Sequence, residues 1–294
     1  MVARRLPSSR LVLVLAALAT GGCPRNEPPA EPPAHEAASH VLELRYAAVP
    51  LVQALELELT DTRVGQYVQA TLTLEAVLEP VADGDDLRTR WSLERIDALE
   101  LSGTVEPDEL ERARTLLLDH GRGTTVSDAQ GIPDLAATDA DASNAARDAA
   151  LDGAPPSGVL LMTVLAEQLR LPRLTTKGLP LGEPVEHAEE SETAIAGTDW
   201  VLPTTTVHRF TIRRIDDSGA ARVAEVAILL ASVAEPEEGT ELDARLETRA
   251  EGTLLFDLDH GLPVSLELSR TDSFRVGETE GERSLVMRST FRSR

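Results

Sequence analysis

The chain has one cysteine, one lysine and few aromatic side chains, and its longest apolar run is too short to cross a bilayer as a helix. Each shortage excludes something. The lone Cys23 has no partner in its own chain, which rules out a disulfide framework or a multi-thiolate metal site. Aromatic residues make up 3%, too few for the exposed ring platforms that stack sugars or single-stranded nucleic acid. Bases are outnumbered as well: 28 Lys and Arg stand against 50 Asp and Glu, a formal charge of −22. So acidic a surface repels nucleic acid and anionic headgroups, and no nucleic-acid partner is expected. Partners on its exposed faces should be neutral, basic or bridged by cations. Local catalytic signatures are missing too: there is no Gly-x-Ser-x-Gly, no His-Glu-x-x-His, no phosphate-binding glycine loop and no Cys-x-x-Cys.

What the chain does have begins at its N-terminus. Arg4, Arg5 and Arg10 precede an apolar stretch, Leu11 to Ala19, and the small residues Thr20, Gly21 and Gly22 lead to Cys23. This is the layout of a secretory signal peptide over residues 1–22. Its apolar stretch is far below the roughly 20 residues of a spanning helix. The segment resembles bacterial lipoprotein precursors, whose cysteine takes a diacylglyceryl group and becomes the new N-terminus. The resemblance assigns lipidation to Cys23. It departs from the family at Thr20, where Leu is preferred, with Leu18 two places further back. Several acyl chains hold a protein at a bilayer where one does so only marginally, each buried methylene contributing about 0.8 kcal/mol. Pro24 stands where well-studied enteric lipoproteins carry the aspartate that retains them at the inner membrane. That resemblance implies a lipid-anchored protein of the cell envelope, on the outer membrane rather than the inner. Loss of the leader, with its three arginines and no acids, takes the formal charge to −25.

Residues 23–39 join the lipidated cysteine to a Pro-, Glu- and Ala-rich spacer without apolar period, an extended semi-rigid stalk. Folding should begin near His40. From there the period is two: Leu55, Leu57 and Leu59 alternate with Glu56, Glu58 and Thr60, and Val68 to Ala76 and Leu87 to Leu93 alternate likewise. Such segments are half-buried antiparallel strands, with Ala82 to Asp85 as a hairpin turn. A helix follows from Pro107, with Leu110, Ala113 and Leu117 on one face and Gly121 as its stop. A short strand, Gly123 to Ser127, completes a first β-rich lobe over residues 40–131.

Residues 132–156 form an acidic low-complexity loop. Over residues 157–294, Ser157 caps a buried helix from Val159 to Leu171. An extended acidic stretch from Leu179 to Ala196 comes next. Strands then run over 207–215, 221–233, 242–249, 253–259, 264–274 and 284–292. The expected fold class is therefore mainly β with two helices, α+β: curved antiparallel sheets in two lobes, packed against a buried helix. Motifs such as Leu179-Pro180-Leu181-Gly182, Gly197-Thr198-Asp199-Trp200 and Gly252-Thr253-Leu254-Leu255-Phe256-Asp257 resemble a family of uncharacterised, myxobacterial-type lipoproteins with two loosely similar β-rich lobes. More distantly the body is similar to the Lol-type lipoprotein carriers, half-barrels closed by helices over an apolar cavity. The resemblance implies a fold; it does not settle a function.

Three constellations carry chemistry-bearing residues. Asp139, Asp141 and Ser143 begin a calcium-loop pattern, but Asn144, Arg147 and Ala150 stand where its glycine and later ligands belong. A solvated acidic loop is the expectation. Asp257, Asp259 and His260 place two carboxylates and an imidazole together, yet Asp259-His260-Gly261 also reads as a tight turn, which is preferred. Asp119-His120 and Val207-His208-Arg209 are isolated pairs. No catalytic residue, metal site or cofactor is assigned, and an enzyme is not favoured. The leading expectation is a membrane-tethered envelope lipoprotein acting as a non-enzymatic interaction or structural module. Alternatives are a carrier of an apolar ligand in a half-barrel cavity and a hydrolase with a dispersed active site. Expected partners are the membrane, through the N-terminal acyl chains, and an envelope protein or an apolar ligand.

Overall fold

Alternating leucines set up the first half of the sheet. In β2 (Leu51–Asp61), Leu55, Leu57 and Leu59 are buried while Glu56 and Glu58 face solvent. A period of two puts alternate side chains on opposite faces, so the strand has one dry and one wet side. The same pattern continues in β3 (Val68–Asp83) and β4 (Asp86–Gly103). Gly84, at φ 68, makes the hairpin between them. Helix α1 (Glu109–His120) then lies back over β4, burying Ala113 and Leu117, and β5 (Arg122–Asp128) pairs with β4 at the sheet edge. The computed structural model describes residues 41–62, 67–106, 108–133, 156–194, 200–236, 240 and 242–294. The leader, Cys23, the spacer and the calcium-like pattern from Asp139 lie outside the described residues.

Helix α2 (Pro156–Gln168) begins and ends about a turn earlier than its sequence suggests. Ser157 is not its cap: the residue sits in the first turn, and its backbone N–H donates to Glu109 Oε1 of α1 at 3.0 Å. Glu109 Oε2 also accepts from Glu106 N at 3.1 Å, so one carboxylate satisfies open N–H groups at two helix starts. Burial resists its ionisation, but the bonds from Ser157 and Glu106 prevail and hold its pKa below the usual value. Leu161, Met162, Val164 and Leu165 are all but inaccessible. They fill the space between α2 and the sheet.

The C-terminal strands are β7 (Val185–Ala194), β8 (Val201–Asp216), β9 (Val223–Ala234), β10 (Ala244–Asp257), β11 (Leu262–Val276) and β12 (Thr279–Ser293). Two differ from expectation. The acidic stretch after Leu179 contains β7, whose half-buried side chains are Val185, His187, Glu189 and Thr193, with no leucine among them. The segments 242–249 and 253–259 are one strand, β10, running through Gly252. A Cβ there would meet the Glu267 carbonyl oxygen at 2.3 Å, so the glycine marks close approach of β11 and not a break.

All ten long strands join in one antiparallel sheet, ordered β5-β4-β3-β2-β12-β11-β10-β9-β8-β7. The two β-rich stretches meet edge to edge where β2 pairs with β12, Leu59 opposite Leu285 and Leu57 opposite Met287. Residues Ser39–Arg294 make one compact unit. Register shifts leave an extra residue on β4 at Asp97 and Glu94, on β8 at Arg213 and on β11 at Val264, bulges of the kind that bend strands and curve a sheet. A small ladder of β1 (Val41–Leu42) and β6 (Leu179–Pro180) closes one end. Nearby, the Tyr46 hydroxyl donates to the Pro172 carbonyl at 2.7 Å and its ring meets Phe256 edge-on at 5.4 Å. The architecture is thus a curved, open, mainly β sheet packed with helices on its inner face.

Candidate functional site: a polar belt on the inner face

The inner face changes character from β12 to β7. Residues directly opposite in antiparallel strands share a face, and the registers set Arg283, Asp272, Thr248, Ser232, Thr206 and Glu189 in one row across six strands. The row is polar throughout. Arg283 Nη2 donates to Asp272 Oδ2 at 2.6 Å, Thr248 Oγ1 to Asp272 Oδ1 at 2.8 Å, and the Thr206 and Ser232 hydroxyls share a bond of 2.9 Å. The adjoining row reads Arg270, Ala250, Leu230, His208, His187. Above these rows lie the end of α2 and the segment that follows it, carrying Glu167, Arg170 and Arg173.

Charges here are mostly paired. Arg270 Nη1 donates to Glu167 Oε2 at 3.0 Å and its Nε to Asp272 Oδ1 at 2.7 Å. Burial works against ionisation at Asp272, but Arg270 and Arg283 outweigh it and hold the carboxyl below its usual value. Arg173 grips both oxygens of Glu189, Nη1 to Oε2 at 3.0 Å and Nη2 to Oε1. That bond is the main reason the Glu189 pKa is lowered. A planar guanidinium matches a carboxylate in this two-armed fashion.

Three groups are left without partners. His208, 5% exposed, has no hydrogen bond at Nε2, and its distance of 3.8 Å to Glu189 Oε2 is too long for one. Burial, with Arg173 next in effect, pushes its pKa down to about 4, so it is neutral at ordinary pH. Arg173 Nε is likewise buried and unbonded. Leaving a buried polar group unmatched costs about 1–3 kcal/mol. Arg170 is part-buried and, among the described residues, has no carboxylate within ion-pair distance. Burial lowers its pKa, and Arg270 and Arg173 add to that effect against Glu167.

Sequence reading treated His208 as part of an isolated pair; the structure brings it to His187, 3.1 Å from Glu189 through its own Nε2. Spacing 187/189 on one strand face was the available signal, and the acidic composition of β7 hid it. The Asp257 to His260 constellation is the turn it resembles: Asp257 Oδ1 accepts the N–H groups of Asp259 and His260, and Gly261 adopts φ 66. Asp259 instead binds Arg222 across the neighbouring turn. Asp119 and His120 end α1 as exposed residues. Among the described residues no group of three His, Cys, Asp or Glu is placed to hold a metal, and no helix is long and apolar enough to cross a membrane. On the outer face, two hollows of about 470 and 420 Å³ share Leu229, Glu251 and Ser269.

The chain matches no protein-family model and no curated protein.

Proposed function

We propose that this is a lipid-anchored protein of the bacterial cell envelope, tethered through Cys23 on the outer membrane, whose body is a non-enzymatic interaction module. The observation that carries the reading is the division of the chain. A leader, a lone cysteine and a proline-rich spacer occupy residues 1–39, and the body from Val41 onward builds its core from its own strands and helices. The resemblance of residues 1–23 to lipoprotein precursors supports the tether. In intact cells the mature protein should partition into detergent and incorporate a labelled fatty acid. Cys23→Ala should abolish both, and an unchanged detergent partition in that variant overturns the tether.

A second reading, a binder of an apolar or amphiphilic ligand, is favoured by one feature of the inner face. Leucines fill the space under α2, but beyond it Leu230, Leu246 and Phe274 are only half-buried beside Thr206, Ser232 and Thr248. Binding sites of this kind combine apolar walls with a few convergent polar groups. The reading needs no covered cavity beneath the helix; it places the ligand on the inner face of β8–β11. Crosslinking in cells separates the two readings, since a protein module gives a reproducible protein adduct and a small-ligand binder does not.

A further inference from the structure

Strand β9 is apolar on both of its faces. Its run Val226-Ala227-Ile228-Leu229-Leu230-Ala231 has the continuous pattern of a strand covered on both sides, with Ala227, Leu229 and Ala231 pointing outward. Beside it, β10 and β11 point Arg249, Glu251, Ser269 and Thr271 outward. Yet the outer face is open to solvent here. Leu229 is 42% exposed, and Val286, on the same face of β12, is 38% exposed. The two outer hollows share Leu229, Glu251 and Ser269 and extend to opposite sides of them, one towards Arg249 and Thr271, the other towards Ala227 and Arg288.

The order of charges across this face says what would cover it. Directly opposite residues share a face, so the registers set Arg209, Leu229, Glu251, Ser269, Val286 and Glu58 in one outer row from β8 to β2. Laid against its own reverse, the row meets itself with Arg209 over Glu58, Leu229 over Val286 and Glu251 over Ser269, each contact made twice. A two-fold axis parallel to the strands, between β10 and β11, produces that arrangement, the self-complementary kind found in symmetric dimers. In the rows on either side the same axis puts Arg249 over Thr271, Glu267 over Thr253, Arg288 over Ala227 and Glu56 over Thr211. No like charges meet, and long side chains fall on short ones. Arg209 Nε donates to Glu186 Oε1 at 2.7 Å within its own chain, but the side chain is half-exposed and open to a second carboxylate. A partner of one sign would instead meet like charge, at Glu58 and Glu251 or at Arg209 and Arg249.

We propose that the outer face of β2 and β8–β12 packs on the same face of a second copy of this chain, burying Leu229 against Val286 and pairing Arg209 with Glu58. Twisted sheets stack face to face with their strands close to aligned, as this axis requires. The proposal rests on the interaction-module reading and names a second copy as the partner.

Sedimentation velocity on the full chain carrying Cys23→Ala, at about 0.15 M salt where repulsion between two acidic bodies is screened beyond about 8 Å, should show a dimer. Arg209→Glu sets acid against Glu58 and should weaken the dimer about tenfold; adding Glu58→Arg restores opposite signs and should bring the dissociation constant back to within about threefold. That rescue separates an interface role from a loss of folding. In the same Cys23→Ala chain, Leu229→Cys together with Val286→Cys should give disulfide-linked dimers on mild oxidation. Within one chain the two positions lie three strands apart, about 14 Å, too far to bridge each other. Leu229→Cys alone should link poorly, and linking as efficient as that of the pair overturns the axis. A dimer indifferent to both charge changes and not linked by the cysteine pair overturns this face. A monomer at every concentration overturns the second copy, and crosslinking in cells then decides the parent reading: a reproducible adduct with another protein leaves the interaction module standing, and a blank overturns both.

Discussion

The inner face of this sheet is largely apolar over β2–β4 and crossed by polar rows over β7–β12, and the contrast shows how one fold combines a core with buried charge. From β2 to β4 the inward positions include Leu55, Leu57, Leu59, Leu72 and Leu74, each at most 1% exposed, with Gln53, Asp61 and Thr89 the buried polar residues among them. Helices α1 and α2 close over them. From β8 to β11 the equivalent positions include His208, Thr206, Ser232, Thr248, Arg270 and Asp272. On those strands Phe210, Ile212, Val226, Leu254 and Phe256 join the core, but Leu230 and Leu246, beside the polar rows, remain half-buried. Hydrophobic burial stabilises in proportion to area removed from water, so the one apolar cluster that runs from Leu55 and Leu72 to Phe210 and Phe256 holds the fold together. The polar rows carry buried ionic and unmatched polar groups, which cost desolvation and contribute less to stability than leucines of similar volume would.

The contrast can be broken most strongly in the dry half. Leu161→Ala removes a side chain with no exposed area from between α2 and the sheet, and it should destabilise by about 2–5 kcal/mol. Urea unfolding followed by circular dichroism measures it. A loss under about 1 kcal/mol would mean that the helix layer is not the main core.

In the charged half, Asp272→Asn removes the shared partner of Arg270 and Arg283 and should cost about 3 kcal/mol at neutral pH. Because the folded-state pKa of Asp272 is lowered, its contribution is present above the ordinary carboxylate range and is lost as pH falls through the folded value. The variant should therefore show a shallower loss of stability below about pH 4 than the parent, which pH-dependent urea midpoints will reveal.

A smaller effect is expected at His208. Its pKa falls from 6.5 to about 4 on folding, so the unfolded chain binds the proton more readily between those values. Stability should be complete above pH 6.5 and decline as pH drops toward 4, by up to about 3 kcal/mol and less where solvent relaxes the site. In His208→Leu that decline should vanish, and at neutral pH the variant should be no less stable than the parent. A slope that persists unchanged in the variant assigns the acid sensitivity to other groups.

Much of the scaffold could be read from residue order because it depends on local rules. Alternation in β2 and β3 follows from the pleat, and Asp-Gly chemistry marks the turns at Asp83-Gly84 and Asp257 to Gly261. Helix boundaries were less legible. Glu109 fixes the start of α2 from 48 positions away, and no neighbour of Ser157 announces that. Strand β7 escaped because an edge strand with charged residues on both faces has no apolar alternation to show.

By itself, then, the sequence determined a lone cysteine behind a short basic and apolar stretch, a proline-rich segment after it and a body of alternating antiparallel strands with two helices. These rest on composition and on periods of a few residues. Only the tertiary structure decided that β2 and β12, more than 200 residues apart, are neighbours, and that Arg173, Glu189 and His208 meet, as do Glu167, Arg270, Asp272 and Arg283. Such encounters arise from strand order and register, and side chains brought together across six strands leave no periodic trace in the chain.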